Sequence, residues 1–390
     1  IIALMMGLTS FAIDNLLPAF DALRAEFSIA DPNRAQLAIY VYMIAFAVAQ
    51  LVYGPVSDMM GRRPTVLFGV VIFVLGSLLA LVARSFEVLL IARAIQGVGS
   101  AAARVLAVTI VRDRFAGREM ARVMSLTMMV FLIVPIFAPT LGSALLALGN
   151  WHMIFGATAA LGLLLAVWFG LRMPETLHPE YRFPFSVARV ASAVKLTVTT
   201  RVAIGYSTAV GLMLGCLMGY IGSAQQILET SVYALGPTFT IYFGVIAGLM
   251  GIGALTNSRL VRRVGMRRMG HFGLIGFVLV AAMQVVGALA FDGHPPLLWF
   301  VATISGNLML FSLTVPNFNA TAMEPLGAVA GTASSFIGAY TTLMGALFGL
   351  VVGQAFDGTT RPLAFGFLIL SLTSLAVVTW TERGRLFRSH

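Results

Sequence analysis

The chain has 390 residues, 59% hydrophobic and only 10% charged, with a mean hydropathy of +0.94; no soluble core needs that much apolar surface. The net charge of +10 does not point to nucleic acid, because 24 of the 25 basic residues are Arg and most flank apolar runs, where anionic lipid headgroups are the counterpart. The one cysteine, Cys216, lies within an apolar run and excludes an intrachain disulfide or a Cys-based metal cluster.

Apolar runs of about 20 residues match the bilayer thickness at helical rise and predict twelve spans. In chain order they cover residues 1 to 20, 35 to 57, 64 to 83, 88 to 111, 121 to 148, 152 to 171, 202 to 227, 237 to 257, 269 to 291, 297 to 321, 329 to 352 and 362 to 380. Ile1 already stands in the first span, so a short leading segment is expected before it. Nineteen basic residues fall into alternate gaps and the tail, among them Arg62 and Arg63, Arg112 to Arg122, and Arg259 to Arg268. Only Arg24, Arg34, Arg84 and Arg361 occupy the gaps between. The positive-inside rule then predicts both termini on the cytoplasmic side.

The longest gap, residues 172 to 201, carries Pro174, Pro179, Pro184 and five basic residues, and separates two sets of six spans. It is expected to be a cytoplasmic linker between an N-terminal bundle (1–171) and a C-terminal bundle (202–390). Gly61-Arg62-Arg63 after span 2 is echoed by Gly265-Met266-Arg267-Arg268 after span 8, which suggests a duplication. Paired six-span halves with a substrate between them are a common transporter plan.

Asp14 is the one carboxylate well inside a span, and a charge there is costly enough to suggest function. Pro18 cannot donate to the carbonyl of residue 14, so the helix is disturbed at Asp14 and Asn15. Either Asp14 carries protons, or the two side chains satisfy the freed backbone. Arg93 in span 4 lies at the same depth, and Arg104, eleven residues on, shares its face. Arg104 either faces a wet cavity or holds backbone carbonyls. Tyr40, Tyr42, Tyr220, Gln225, Gln226, Asn307 and Asn317 would line a cavity or bond helix to helix. Gly211, Gly215 and Gly219, with Gly345, Gly349 and Gly353, have the spacing of close helix contacts. His152 and His271 stand singly near span ends and are expected at the interface.

Gly54-Pro55-Val56-Ser57-Asp58-Met59-Met60-Gly61-Arg62-Arg63-Pro64 resembles the loop signature of the major facilitator superfamily, and Leu90 to Gly99 is similar to its span-4 motif. With Asp14-Asn15-Leu16-Leu17-Pro18, Pro135 to Gly142, and Ala330 to Ser335, the chain looks like the bicyclomycin and chloramphenicol resistance branch of the twelve-span drug/proton antiporters. Ala138 stands where the span-5 pattern has Gly. The resemblance implies an all-α integral membrane protein with twelve transmembrane helices in two six-helix bundles, the major facilitator fold, around a central cavity. It implies proton coupling by Asp14 and Arg93, and a conformational switch built from Gly54, Asp58, Gly61, Arg62, Arg63, Pro135, Pro139 and Gly142. Substrate contacts are expected from Asp14, Asn15, Tyr40, Arg93, Arg104, Arg112, Phe131, Tyr220, Gln226 and Asn307. Arg112, which matches a family position, serves equally as a positive-inside anchor.

The expected function is proton-coupled export of small apolar, neutral or zwitterionic drugs from a bacterial inner membrane by a single chain with no cofactor. Uptake of a small organic anion is the alternative. A membrane enzyme fits poorly, since no cluster of His and carboxylates, no metal-ligand spacing and no nucleophile with a base occurs within the spans, and no P-loop is present.

Overall fold

The computed structural model describes residues 1–115, 117–178, 180, 182 and 186–387, without the side chains of several residues between 117 and 132 and of 187, 189, 328 and 330. Its helices are α1 (Ile2–Asp14), α2 (Phe20–Glu26), α3 (Leu37–Met60), α4 (Arg62–Leu81), α5 (Phe86–Arg114), α6 (Gly117–Leu148), α7 (His152–Arg172), α8 (Val187–Thr199), α9 (Arg201–Ala224), α10 (Phe239–Val264), α11 (Met266–Ala290), α12 (Leu297–Met323), α13 (Ala330–Gln354) and α14 (Arg361–Thr381). Among the described residues, 11 helical stretches are long and apolar enough to cross a membrane, and α6 occupies the position of the remaining expected span. The first span reaches Glu26 rather than residue 20, because the chain breaks after Asp14 and resumes its helix at Phe20.

The chain separates into two compact units, Ile1–Val190 and Ala191–His390. In the first, α5 packs against α3 and α4, α4 against α7, and α1 against α6. In the second, α9 packs against α13 and α14, and α12 against α10 and α11. Each unit has helices whose outer faces carry large exposed apolar side chains, Phe68, Leu75 and Leu171 on α4 and α7, and Phe272, Leu279 and Ile369 on α11 and α14. Those faces belong against lipid tails. The spans beginning at Ile2 and Arg201 are instead 72% buried along their apolar windows, and buried polar side chains lie on them, Asp14 and Asn15 where α1 ends in one and Gln225 and Gln226 toward the end of the other.

The two glycines of the repeated loop pattern share one backbone geometry. Gly61 ends α3 and starts α4 at φ 101°, and Gly265 ends α10 and starts α11 at φ 88°. Only glycine takes this left-handed geometry without strain, so both units use it to reverse direction in one residue. On the contact of α9 with α13 the glycines interlock. A side chain on Gly211, Gly215 or Gly219 would strike Met344, Phe348 or Val352, and one on Gly345 or Gly349 would strike Leu214 or Met218. Of the four basic residues in the arginine-poor gaps, three have carboxylate partners: Arg24 with Asp21 at 3.2 Å, Arg34 with Glu87 at 2.9 Å, and Arg361 with Asp292.

Candidate functional site

One set of polar groups in the first unit surrounds the break in span 1. The α-helical ladder gives way after Asn15, whose N–H still reaches the Phe11 carbonyl at 3.2 Å: Leu16 N–H bonds the Ile13 carbonyl at 3.3 Å, and a short 3-10 turn, Leu17–Ala19, holds Pro18 before Phe20 restarts the α-helix. Asp14 is 4% exposed and Asn15 1%. Among the described residues no hydrogen bond or ion pair engages the Asp14 carboxylate, whereas Asn15 Nδ2 donates to Thr158 Oγ1 at 3.2 Å, and Thr158 donates in turn to the Ile154 carbonyl. Gly142 of α6 touches the break from the other side. A Cβ there would overlap the Asn15 carbonyl oxygen and lie 3.0 Å from Pro18 Cγ, so the absence of a side chain is what lets α6 approach.

Arg93 of α5 is fully buried. Its Nε donates to the Ala38 carbonyl at 2.8 Å, and its Nη1 to the Ala12 carbonyl at 3.0 Å and to Gln96 Oε1 at 2.8 Å. The guanidinium lies over the Tyr42 ring, 4.5 Å from the centroid. Ala12 is in the last turn of α1, where helix termination leaves carbonyls without an intrahelical donor, and a cation favours the negative end of the helix dipole. Arg93 therefore caps the helix that ends in Asp14. It makes no ion pair with Asp14. Gln96 Nε2 continues the network to Ser77 Oγ at 2.7 Å, and Tyr42 donates to Ser100 Oγ at 2.6 Å. Gln96 and Ser100 lie three and seven residues past Arg93, one helical face, and that spacing could have found them in the sequence.

A second cluster surrounds the Gly61 turn. Arg62 is 6% exposed, with Nη1 2.5 Å from Asp58 Oδ1 and 2.6 Å from Ser57 Oγ, and Nε 3.1 Å from Asp113 Oδ2. Ser57 Oγ donates to the Gly54 carbonyl, and Arg63 Nη2 to the Gly170 carbonyl. The expected switch residues Gly54, Asp58, Gly61, Arg62 and Arg63 thus meet in one place. Glu175 joins them without having been foreseen. Its carboxylate accepts the backbone N–H groups of Arg62 (2.9 Å), Arg63 (3.2 Å), Thr176 (2.9 Å) and Leu177 (2.9 Å). Partial burial pushes this carboxyl up, but the four N–H groups outweigh it and hold the group below its ordinary value. In the sequence Glu175 is one of two acids, with Glu180, in a linker of five basic residues, and nothing there singles it out.

The remaining expected residues are dispersed. Arg104 is half-buried on α5, and Arg112 is exposed, 19 residues and about 28 Å along the helix from Arg93. That exposure suits Arg112 to an anchor and removes it from the buried cluster. Tyr40 is fully buried. In the second unit Tyr220 stacks on Phe243 at 5.8 Å, and Gln226 lies in a π-helical turn, Gln225–Thr230, that ends span 7. Asn307 is fully buried, and neither its Oδ1 nor its Nδ2 has a hydrogen-bond partner among the described residues. Pro139 is buried and Pro135 half-buried within α6. The side chain of Phe131 lies outside the described residues. No group of three or more His, Cys, Asp and Glu able to hold a metal occurs among the described residues.

Known proteins resemble this chain throughout its length. An uncharacterised MFS-type transporter, YdgK of Bacillus subtilis, is 30% identical over 375 residues, covering 95% of this chain and 92% of that protein. A bicyclomycin resistance protein homolog of Haemophilus influenzae is 29% identical over 365 residues, covering 93% and 90%. Among solved structures a D-xylose-proton symporter superposes with a TM-score of 0.75 at 12% identity, covering 99% of this chain and 97% of that one; at that identity the likeness concerns the fold. The Major Facilitator Superfamily pattern matches residues 2–349. With helices of membrane-crossing length in two units and a one-residue glycine turn in each, followed by arginines, the chain belongs to the Major Facilitator Superfamily of multi-pass membrane transporters, and the relatives and solved structures it resembles are transporters rather than enzymes.

Proposed function

We propose that the protein is a proton-coupled exporter of small apolar, neutral or zwitterionic drugs, working as a single chain in a bacterial inner membrane with both termini and the 172–201 linker cytoplasmic. The observation that supports this best is Asp14, a carboxyl 4% exposed at the end of a broken helix whose Ala12 carbonyl is held by buried Arg93. A proton arriving on Asp14 removes a negative charge from the helix end that Arg93 holds, so loading and release bear on the packing of α1 against α5. Arg93, always charged, cannot serve as the carrier. Asn307, buried with both ends of its amide open among the described residues, suits a substrate with neutral hydrogen-bonding groups. The names of relatives such as the bicyclomycin resistance homolog agree with export of such compounds.

If one proton enters for each neutral molecule expelled, the membrane potential supplies about 2.3 kcal/mol per 100 mV, enough for roughly a 50-fold gradient. The test is chloramphenicol or bicyclomycin transport into everted membrane vesicles energised with a proton gradient. Wild-type protein should accumulate the drug, and Asp14→Asn should still bind it but not concentrate it. Undiminished proton-driven accumulation by the variant would return Asp14 to a role beside Pro18. A second reading rests on Arg93 Nη2, buried and without a hydrogen-bond partner among the described residues: a cation with a free donor could receive an organic anion taken up with protons. Accumulation in right-side-out vesicles under an inward proton gradient would favour it.

A further inference from the structure

The C-terminal segment after α14 folds back onto the end of the second unit. Gly384 N–H donates to the Thr379 carbonyl at 2.8 Å and Arg385 N–H to Glu382 at 3.1 Å, a left-handed turn with Arg383 at φ 54° and Gly384 at φ 74°. The turn delivers Phe387 to His271, a side chain that single placement near a span end suggests is interfacial but that is 1% exposed. Phe387 N–H donates to His271 Nδ1 at 3.2 Å, its carbonyl accepts from Arg268 Nε at 3.2 Å, and its ring meets the His271 ring edge-on at 5.6 Å and the Phe272 ring at 4.7 Å. Phe387 sits at φ 68°, a conformation that a bulky residue keeps only when its surroundings hold it there.

The hydrogen bonds assign the imidazole tautomer. Tyr206 O–H donates to Glu382 Oε1 at 2.6 Å, so its lone pairs face His271 Nε2 at 2.9 Å, which must carry the hydrogen. Nδ1 is then bare and accepts from Phe387. We propose that His271 is a proton-operated latch for the C-terminal segment. Neutral, it binds the Phe387 N–H; protonated, it turns a second N–H toward a donor and lets the segment go. The charged groups around it are Glu382, which favours the proton, and Arg267, which opposes it and is itself paired with Glu382 at 3.5 Å and Glu324 at 3.0 Å. Arg268 lies on the same helix and holds Phe387, and the face against α12 is the apolar Phe318 ring. The segment is held above the titration of His271 and released as pH falls through it. On the orientation proposed above, the latch would read cytoplasmic acidity; its chemistry does not depend on that orientation or on transport.

The experiment is a nitroxide spin label on Arg385→Cys in the full chain in detergent, where Arg385 is exposed and the native Cys216 is fully buried and does not label. The ratio of mobile to immobile label should rise from pH 8 to pH 5, by up to about tenfold per pH unit for a single proton. His271→Gln, which keeps an acceptor and cannot titrate, should abolish the transition. Glu382→Gln, which keeps an acceptor for Tyr206, should move its midpoint to lower pH. A label whose mobility stays constant from pH 8 to pH 5, a transition that survives His271→Gln, or a midpoint that Glu382→Gln leaves in place or raises would each overturn the latch. Should His271→Gln not fold, the wild-type titration and the Glu382→Gln midpoint decide it.

Discussion

Glu175→Gln tests how the Gly61 turn is held. The wild-type carboxylate takes the N–H groups of Arg62 and Arg63, the first two residues of α4, which as a helix N-terminus has no intrahelical acceptors for them. Glutamine of the same length keeps one oxygen acceptor but loses the charge and turns an NH2 toward a donor. A hydrogen bond to a charged group contributes about 1.5–3 kcal/mol against about 1 for a neutral one, and partial exposure of Glu175 screens the difference. A loss of about 1.4 kcal/mol corresponds to a tenfold change. Amide hydrogen exchange in detergent at pH 7 should therefore show Arg62 and Arg63 exchanging about tenfold faster in the variant, with the α4 interior unchanged. Because the folded carboxyl is held below its ordinary value of 4.5, its contribution is complete at neutral pH and disappears as pH falls through the lowered value. The two proteins should then converge well below pH 4.5. Equal exchange at pH 7, or a gap that persists in acid, would refute the account of the turn.

Gly142→Ala should force α6 away from the break in span 1, since the new methyl meets a backbone carbonyl that cannot swing aside; overpacking of this kind costs about 1–3 kcal/mol, read as a lower melting temperature in detergent, and an unchanged melting temperature would count against the close approach. Arg104→Ala should alter which drugs are exported while membrane levels hold, measured as growth inhibition across antibiotic classes beside an immunoblot; loss of folded protein would assign Arg104 to structure. Arg263→Cys, at an exposed position, should resist a membrane-impermeant thiol reagent added to intact cells and react after permeabilisation; labelling from outside would invert the orientation.

The spans and the paired glycine turns were legible because each follows from local chemistry: the length of an apolar run, or a glycine followed by paired arginines where helices reverse. The break after Asp14 was legible for the same reason, since Pro18 lacks the N–H that would continue the helix. The reach of the first span to Glu26 was not, because α2, with Asp21 and Arg24, carries charges that end an apolar run without ending a helix. Burial of Arg93 could be expected, but its acceptors could not: they are main-chain carbonyls of Ala12 and Ala38, and every residue offers a carbonyl. Glu175 lies 113 residues from Arg62, and nothing local to either marks the pairing. His271 carries no sign of its burial, which depends on a segment that returns from 116 residues away.

The interlocking of α9 with α13 limits how the second unit can move. Three glycines of α9 and two of α13 receive side chains of the other helix, with Gly211, Gly215 and Gly219 ascending beside Met344, Phe348 and Val352. Sliding one helix past the other by a single residue would drive those side chains onto backbone flanked by larger neighbours. The next register that puts glycine opposite side chain again is four residues on, about 6 Å away. No intermediate position is comfortable, so small displacements meet a steep wall rather than a gentle slope. The pair behaves as one stiff rod of two strands. Whatever rearrangement admits and expels a substrate must take this rod whole and concentrate its bending elsewhere, at its ends and in the single-residue turns.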